Sequence, residues 1–433
     1  MLLLIESGLV LIAIVIALVR PRLGERGFVP IERRFAALAQ RRTLAVVVVG
    51  ATTLGLRLLL LPVLPIPEPA VHDEFSYLLA ADTFAHGRIA NPTHPMWIHF
   101  ETFHVNMKPT YVSMYYPAQG MFLAFGQLVF GHPFWGVWLS AGLMCAAICW
   151  MLQGWVAPVW ALLGGFLAVI RLGTFSYWMN SYWGGAVAAL GGALVLGALP
   201  RIKRHQRLRD VILMGAGFAI VANSRPYEGI FFSIPVFASL FLWMRRPSAP
   251  PLRATATRVI APLLVMFATT LGWMGYYFWR TTGSPFTTPY LVNAETYFPV
   301  PVFPWQQREN APVYHHAVIQ DFYQGWITSE YEFVRSHPMV SLLLRSWLLW
   351  FFFLGPLLLF PLFAVCYVLP YGIKFRDVGR STRFLLLLCT SVLFGSLLPI
   401  GFDAHYVAPM TCAIYALVLI AIRNVVRKRH PVT

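Results

Sequence analysis

Charge is scarce in this sequence. Lys, Arg, Asp and Glu make up 12% of its 433 residues, about half of the roughly 25% carried by a soluble domain. That scarcity argues against a water-soluble enzyme, and the apolar content argues against a disordered chain. Acids are the rarer sign, 17 against 33 basic side chains. Cysteine is rare too. Cys145, Cys149, Cys366, Cys389 and Cys412 all fall inside apolar runs, so they read as small buried residues and staple no polar loop. No internal repeat of the kind that builds inverted-repeat transporters is visible.

What is abundant is apolar surface: 58% of the chain is hydrophobic and 15% aromatic. Runs of about 20 apolar residues are long enough to cross ~30 Å of hydrocarbon as helices. Spans are expected near 1–19, 43–64, 133–155, 157–178, 182–199, 210–223, 226–244, 259–279, 343–369, 384–400 and 406–422, with 210–223 the shortest. The first lacks a basic leader and a small-residue cleavage site, so it reads as a retained anchor. The expectation is an all-α polytopic membrane protein: one membrane domain, 1–433, of about 11 transmembrane helices.

The charges sort by position. Clusters at 20–42, 201–210, 245–258, 371–383 and 423–429 hold 24 Lys/Arg against four acids, Glu25, Glu32, Asp210 and Asp377. Such segments stay cytoplasmic, so 1–42 reads as an anchor plus a basic inner loop, and 423–433 as a basic tail. The loops 65–115 and 281–342 reverse the balance, each with five acids and two basic residues. They are expected outside, giving an inner-membrane protein with its N-terminus out and C-terminus in. Residues 114–131 are apolar but would break this parity as a crossing. They read as an interfacial or re-entrant helix, extending the first outer region to 65–132. The basic excess thus orients the chain and needs no nucleic acid as partner.

The first outer loop is the informative one. In Glu68-Pro-Ala-Val-His-Asp-Glu-Phe-Ser-Tyr, the pair Asp73–Glu74 precedes helical apolar spacing over 75–87, which stops at His86-Gly87-Arg88. The acids suit a helix N-terminus and suit general-base chemistry equally. The loop also holds five of twelve histidines. His72, His94, His99 and His104, with Glu101, are candidate ligands for a divalent metal, although their spacing matches no standard set. The turn Tyr177-Trp178-Met179-Asn180-Ser181-Tyr182-Trp183 suits an interfacial aromatic belt or a sugar platform in which Asn180 bonds hydroxyls and Trp183 stacks. The 62-residue second loop is long enough to cap a site, and His315–His316 read as surface residues.

The order of these features resembles the GT-C superfamily of lipid-phosphate-dependent glycosyltransferases. The likeness is to the bacterial branch with protein mannosyltransferase-like, aminoarabinose transferase-like and rhizobial galacturonosyltransferase-like members. It rests on Asp73-Glu74-Phe75-Ser76-Tyr77, Tyr115-Tyr116-Pro117-Ala118-Gln119-Gly120, Ser224-Arg225-Pro226-Tyr227-Glu228-Gly229 and His405-Tyr406-Val407-Ala408-Pro409. Three positions depart from that pattern. Met114 and Tyr115 stand where a Lys or His is common, 177–185 lacks an acid, and His405 replaces an Arg.

The resemblance implies a GT-C-like bundle with short interfacial helices in two outer loops. It implies inverting transfer of a sugar from a polyprenyl-phosphate donor to an envelope glycan, lipid or protein at the outer face. Asp73 is then the expected base, with Glu74 second. Arg225, with Lys108 and His405, would face the phosphate. Tyr77, Tyr116, Asn180 and Trp183 would contact sugar or acceptor, and Mg²⁺ or Mn²⁺ is the cofactor such a site could take. Arg171 and Arg345 read as snorkelling or structural. Two alternatives of other classes are a transporter or flippase for a lipid-linked or polar solute, and a metal-dependent membrane hydrolase.

Overall fold

The computed structural model describes residues 2–20, 23–247, 250–307, 311–359 and 379–429. These are helical almost throughout. The only strands among them form a two-stranded antiparallel ribbon, β1 (Val105–Asn106) against β2 (Val112–Ser113). Basic cluster 371–383 lies largely outside the described residues, as do Asp377 and Cys366.

Each expected span contains a helix. They are α1 (Leu2–Val19), α3 (Arg42–Leu59), α6 (Phe134–Leu152), α7 (Pro158–Arg171), α8 (Ala186–His205), α9 (Leu208–Ala222), α10 (Pro226–Met244), α11 (Leu252–Thr282), α14 (Pro338–Phe353), α15 (Arg380–Leu397) and α16 (Thr411–Arg429). Among the described residues, six are long and apolar enough to cross a membrane: α3, α6, α8, α10, α11 and α15. The most enclosed are α6 and α8, whose Ala, Gly and Val faces let neighbouring helices approach closely. Gly192 on α8 is one such approach: a Cβ there would lie 1.9 Å from the Pro409 carbonyl oxygen. This contact seats the His405–Pro409 segment on the bundle.

Two basic segments expected as loops are partly helical. Residues Glu25–Gln40 form α2, which buries Ala39 and packs Phe35 on Phe166 of α7, while Arg26, Arg33 and Arg34 face outward. The apolar pattern in this stretch is amphipathic and too short for a span, so charge alone made it look like a loop. Helix α11 likewise begins at Leu252 and takes in Arg253 and Arg258, through a π turn at Ala256–Ile260.

Residues 114–131 hold a helix too short for a full span. After an extended Tyr116, Pro117–Phe130 forms the 14-residue α5, which ends at Gly131 with φ +76°. It folds against α6 where Gly126 meets Gly136; a Cβ on Gly126 would lie 2.1 Å from the Gly136 nitrogen.

The bundle has two chemically distinct ends. At one, Gln153 donates to the Arg42 carbonyl at 2.8 Å, Arg201 to the Trp150 carbonyl at 2.8 Å and Lys203 to Ser239 at 2.5 Å. At the other lie the end of α3, the acidic loop, residues 174–185, the start of α10 and residues 398–407. Arg171 and Arg345 are structural. Arg171 pairs with Glu6 at 3.0 Å and donates to the Phe351 and Phe352 carbonyls, and Arg345 caps the end of α15 through Leu397, Pro399 and Ile400.

Candidate functional site

The acid pair opens α4 (His72–Ala85), which stops at His86 with Gly87 at φ +68°. The two acids have different jobs. Glu74 is buried, and all its contacts are to backbone amides. One oxygen accepts from Ala70 at 2.8 Å and Val71 at 3.1 Å, the other from Tyr182 at 2.8 Å. It caps the start of α4 through the Val71 amide and pins residues 180–183 to the helix start. Asp73, one residue earlier, keeps about a quarter of its side chain exposed. Its Oδ1 accepts the Tyr115 hydroxyl, and its Oδ2 lies 4.0 Å from Nε2 of His104. Burial and the Asp73 charge push the Tyr115 phenol well above its ordinary value, so it remains a proton donor.

Tyr115 stacks on Tyr77 at 4.4 Å, and Tyr77 faces a narrow cleft. Tyr116, Gln119, Gly184, Gly185, Ser224 and Arg225 line the same cleft. Arg225 is the N-cap of α10, so its guanidinium and the helix's positive end coincide. That guanidinium lies 4.3 Å over the Tyr406 ring. It makes no hydrogen bond or close ion pair to a described residue; the carboxylates of Glu228 and Asp403 act on it from farther off. Tyr116 bonds Thr288, and Tyr290 lies within electrostatic reach of Arg225 and Asp73, so α12 (Pro289–Tyr297) of the second loop reaches the cleft.

The remaining candidates separate. His405 is buried beside the cleft, with Nδ1 3.0 Å from the Tyr177 hydroxyl and its ring edge-on to Trp183 at 4.8 Å. Burial, reinforced by Arg225, holds its pKa well below the ordinary histidine value. Both effects favour the neutral ring. Lys108 is exposed and sits 4.4 Å over Trp97, away from the cleft lining.

Asn180 is held by the protein itself. Its carbonyl accepts from Arg57 Nε at 3.1 Å, and its amide donates to Thr174 at 2.8 Å and Ser176 at 2.9 Å. It has no donor left for a sugar.

The candidate metal ligands do not gather. Among the described residues no group of three or more His, Cys, Asp or Glu could hold an ion. His72 stacks on Phe103 at 4.0 Å, and His94 accepts from the Met96 amide at 3.1 Å. Glu101 instead accepts from Tyr297 at 3.0 Å and meets His315 at 2.8 Å. His315 and His316 are thus interloop contacts, with His316 2.5 Å from the Ile98 carbonyl oxygen.

The charge pattern had not singled out Asp403, Tyr290 or Arg57. Asp403 lies in the chain segment that carries Tyr406 and His405, and its carboxyl interacts with Arg225, Asp73 and Glu330. Its place in an aromatic-Pro element just before a span was the one available signal.

No family model matches the chain, and no curated protein does either. Among solved structures, the chain is similar to the oligosaccharyltransferase of Archaeoglobus fulgidus, whose crystal structure carries a tethered acceptor peptide containing the NVT sequon. The TM-score is 0.49 at 11% identity, over 91% of this chain and 51% of that one. The chain therefore spans about half the length of that protein.

Proposed function

We propose that this is a GT-C-type membrane glycosyltransferase that moves a sugar from a polyprenyl phosphate to an acceptor at the outer face, with inversion. The observation that carries this reading is the Arg225 guanidinium. It caps a helix N-terminus without a hydrogen-bond partner among the described residues, in the tyrosine-lined cleft that leads through Tyr77 and Tyr115 to Asp73. A half-buried cation with its N–H groups unpaired asks for an anion. A phosphate on a lipid suits the position, because the cleft opens at an end of apolar helices whose flanks can take the tail.

In this reading the acceptor hydroxyl attacks the anomeric carbon as the bond to the phosphate oxygen breaks. Asp73 takes the hydroxyl proton on Oδ2, which keeps a lone pair open, while Tyr115 orients the carboxylate through Oδ1. The leaving phosphate is already anionic, so it needs Arg225 more than it needs a proton. Glu74 holds the loop and takes no part in proton transfer. Tyr77, Tyr116 and Trp183 are the aromatic surfaces left for the sugar. The acceptor, whether glycan, lipid or protein, approaches from the outer loops.

The test is equilibrium binding of undecaprenyl phosphate to the protein in nanodiscs. Arg225→Gln is expected to weaken binding at least about tenfold, as loss of a charge-assisted contact predicts. Equal affinity in the two proteins would remove Arg225 from the phosphate site.

A further inference from the structure

His104 has a combination of features that the proposed reaction has not used. Its backbone is left-handed, φ +59°, although it is neither glycine nor asparagine. That conformation is unfavourable for a non-glycine residue. It is held by two hydrogen bonds to the His104 carbonyl, from Ser76 Oγ at 2.6 Å and from the Met114 amide at 3.1 Å. Ser76 in turn shares a 2.7 Å bond with Ser113. Helix α4 and strand β2 thus clamp the residue in place.

The side chain is buried, and its ring is flanked by Phe322 at 5.7 Å, Tyr115 at 6.0 Å and His72 at 6.5 Å. Nε2 faces Asp73 Oδ2 across 4.0 Å. Nδ1 is buried with no partner among the described residues. These contacts decide the tautomer. A proton on Nδ1 would bury an unpaired N–H and turn the Nε2 lone pair toward a carboxylate. A proton on Nε2 leaves only an unpaired acceptor and aims the donor at Asp73.

We propose that His104 is a positioning residue: it donates from Nε2 to Oδ2 of Asp73 and, opposite Tyr115 on Oδ1, fixes the carboxylate plane that meets the acceptor hydroxyl. Catalytic hydrogen bonds that are long in a free enzyme tighten when substrate arrives. A short ring rotation closes the 4.0 Å gap. The strained backbone is what puts the ring there, because a residue in ordinary extended conformation at 104 would send its side chain elsewhere. Phe322 comes from the second outer loop, so docking of that loop sets the ring orientation and hence the base.

This inference rests on the glycosyltransferase reading, with Asp73 as base. Two measurements separate their failures. The first is transfer to an envelope extract from a panel of undecaprenyl-phosphate-linked hexose, hexuronate and aminopentose donors. His104→Gly accepts the left-handed backbone and removes only the ring. It is expected to lower kcat about 30-fold, the scale of a misplaced general base, with the donor KM within about twofold, and added imidazole is expected to restore part of the rate. His104→Gln, which keeps an N–H donor, is expected to fall between. Unchanged kcat in a folded His104→Gly protein overturns the proposal, and so does loss of rate that neither imidazole nor glutamine recovers.

The second measurement is ¹⁵N NMR of histidine-labelled protein, with the His104 signal assigned by its absence in His104→Gly. The expected result is the Nε2–H tautomer, shifting on Asp73→Asn. An Nδ1–H tautomer, or a signal indifferent to Asp73→Asn, overturns the proposal even if no donor in the panel is used. Absence of transfer with every donor, by contrast, counts against the glycosyltransferase reading alone.

Discussion

The Arg225 guanidinium stands 4.3 Å above the ring of Tyr406, a contact between the N-cap of α10 and the segment before the last span. The ring face attracts the cation without consuming its N–H donors, so all five stay available to an anion. Tyr406→Leu keeps the bulk and loses the π face. It is expected to weaken undecaprenyl phosphate binding by about 3- to 10-fold, matching a partly desolvated cation–π contact of ~0.5–1.5 kcal/mol. Tyr406→Phe is expected to bind as well as wild type. Titration of the two variants in nanodiscs checks both.

Arg57 is a structural counterpart to Arg225. It is fully buried and donates to Asn180 at 3.1 Å, Leu64 at 2.7 Å and Pro65 at 3.0 Å. These bonds tie the end of α3 to the loop entering α4 and to residues 174–185. Arg57→Ala strands three acceptors and is expected to cost about 3–5 kcal/mol. Arg57→Lys has the charge but not the fork, and is expected to fall between. Denaturant unfolding in detergent checks the ranking.

Glu101 joins the two long loops, holding Tyr297 and His315 from the second while its own side chain is almost completely enclosed. Glu101→Ala is expected to raise amide hydrogen exchange about 10- to 100-fold in Pro289–Tyr297 and in residues 315–327, while the α6 and α8 cores stay protected. Exchange read by mass spectrometry distinguishes this from global loosening.

Asp403 makes stability depend on pH. Burial pushes its carboxyl up to about 7 from 3.8; Arg225 opposes the shift, and Asp73 and Glu330 add to it. The folded state thus holds the proton more tightly than the unfolded chain does. This contribution is full below pH 3.8 and is lost as pH rises through about 7. The loss amounts to at most about 4 kcal/mol for a shift of this size. Wild type is therefore expected to lose stability from pH 4 to 7.5 more steeply than Asp403→Asn. Parallel profiles for the two proteins would contradict this.

Much of the fold was legible because its signals are local. The eleven apolar runs, the acid pair opening α4, the Gly87 stop and the end of α5 at Gly131 are each written within a few residues. The placement of Asp73 and Arg225 at helix starts was legible for the same reason. The site was not legible where the deciding partner is distant. Asn180 looked like a sugar contact because Arg57, 123 residues away, is invisible to spacing. Glu101 and the histidines looked like metal ligands because only folding shows Glu101 reaching His315 instead. Glu74 and Asp73 look alike in sequence; the Tyr182 amide that separates their roles arrives from another loop.

The central claim is that Asp73 is the base of a sugar transfer. The most direct measurement is transfer from undecaprenyl-phosphate-linked donors in proteoliposomes, wild type against Asp73→Asn, with Glu74→Gln assayed for unfolding in parallel. The account predicts that Asp73→Asn binds undecaprenyl phosphate and unfolds like wild type, yet transfers at least about 10³-fold more slowly. Glu74→Gln is predicted to lose stability first. Wild-type transfer by a folded Asp73→Asn protein would contradict the account.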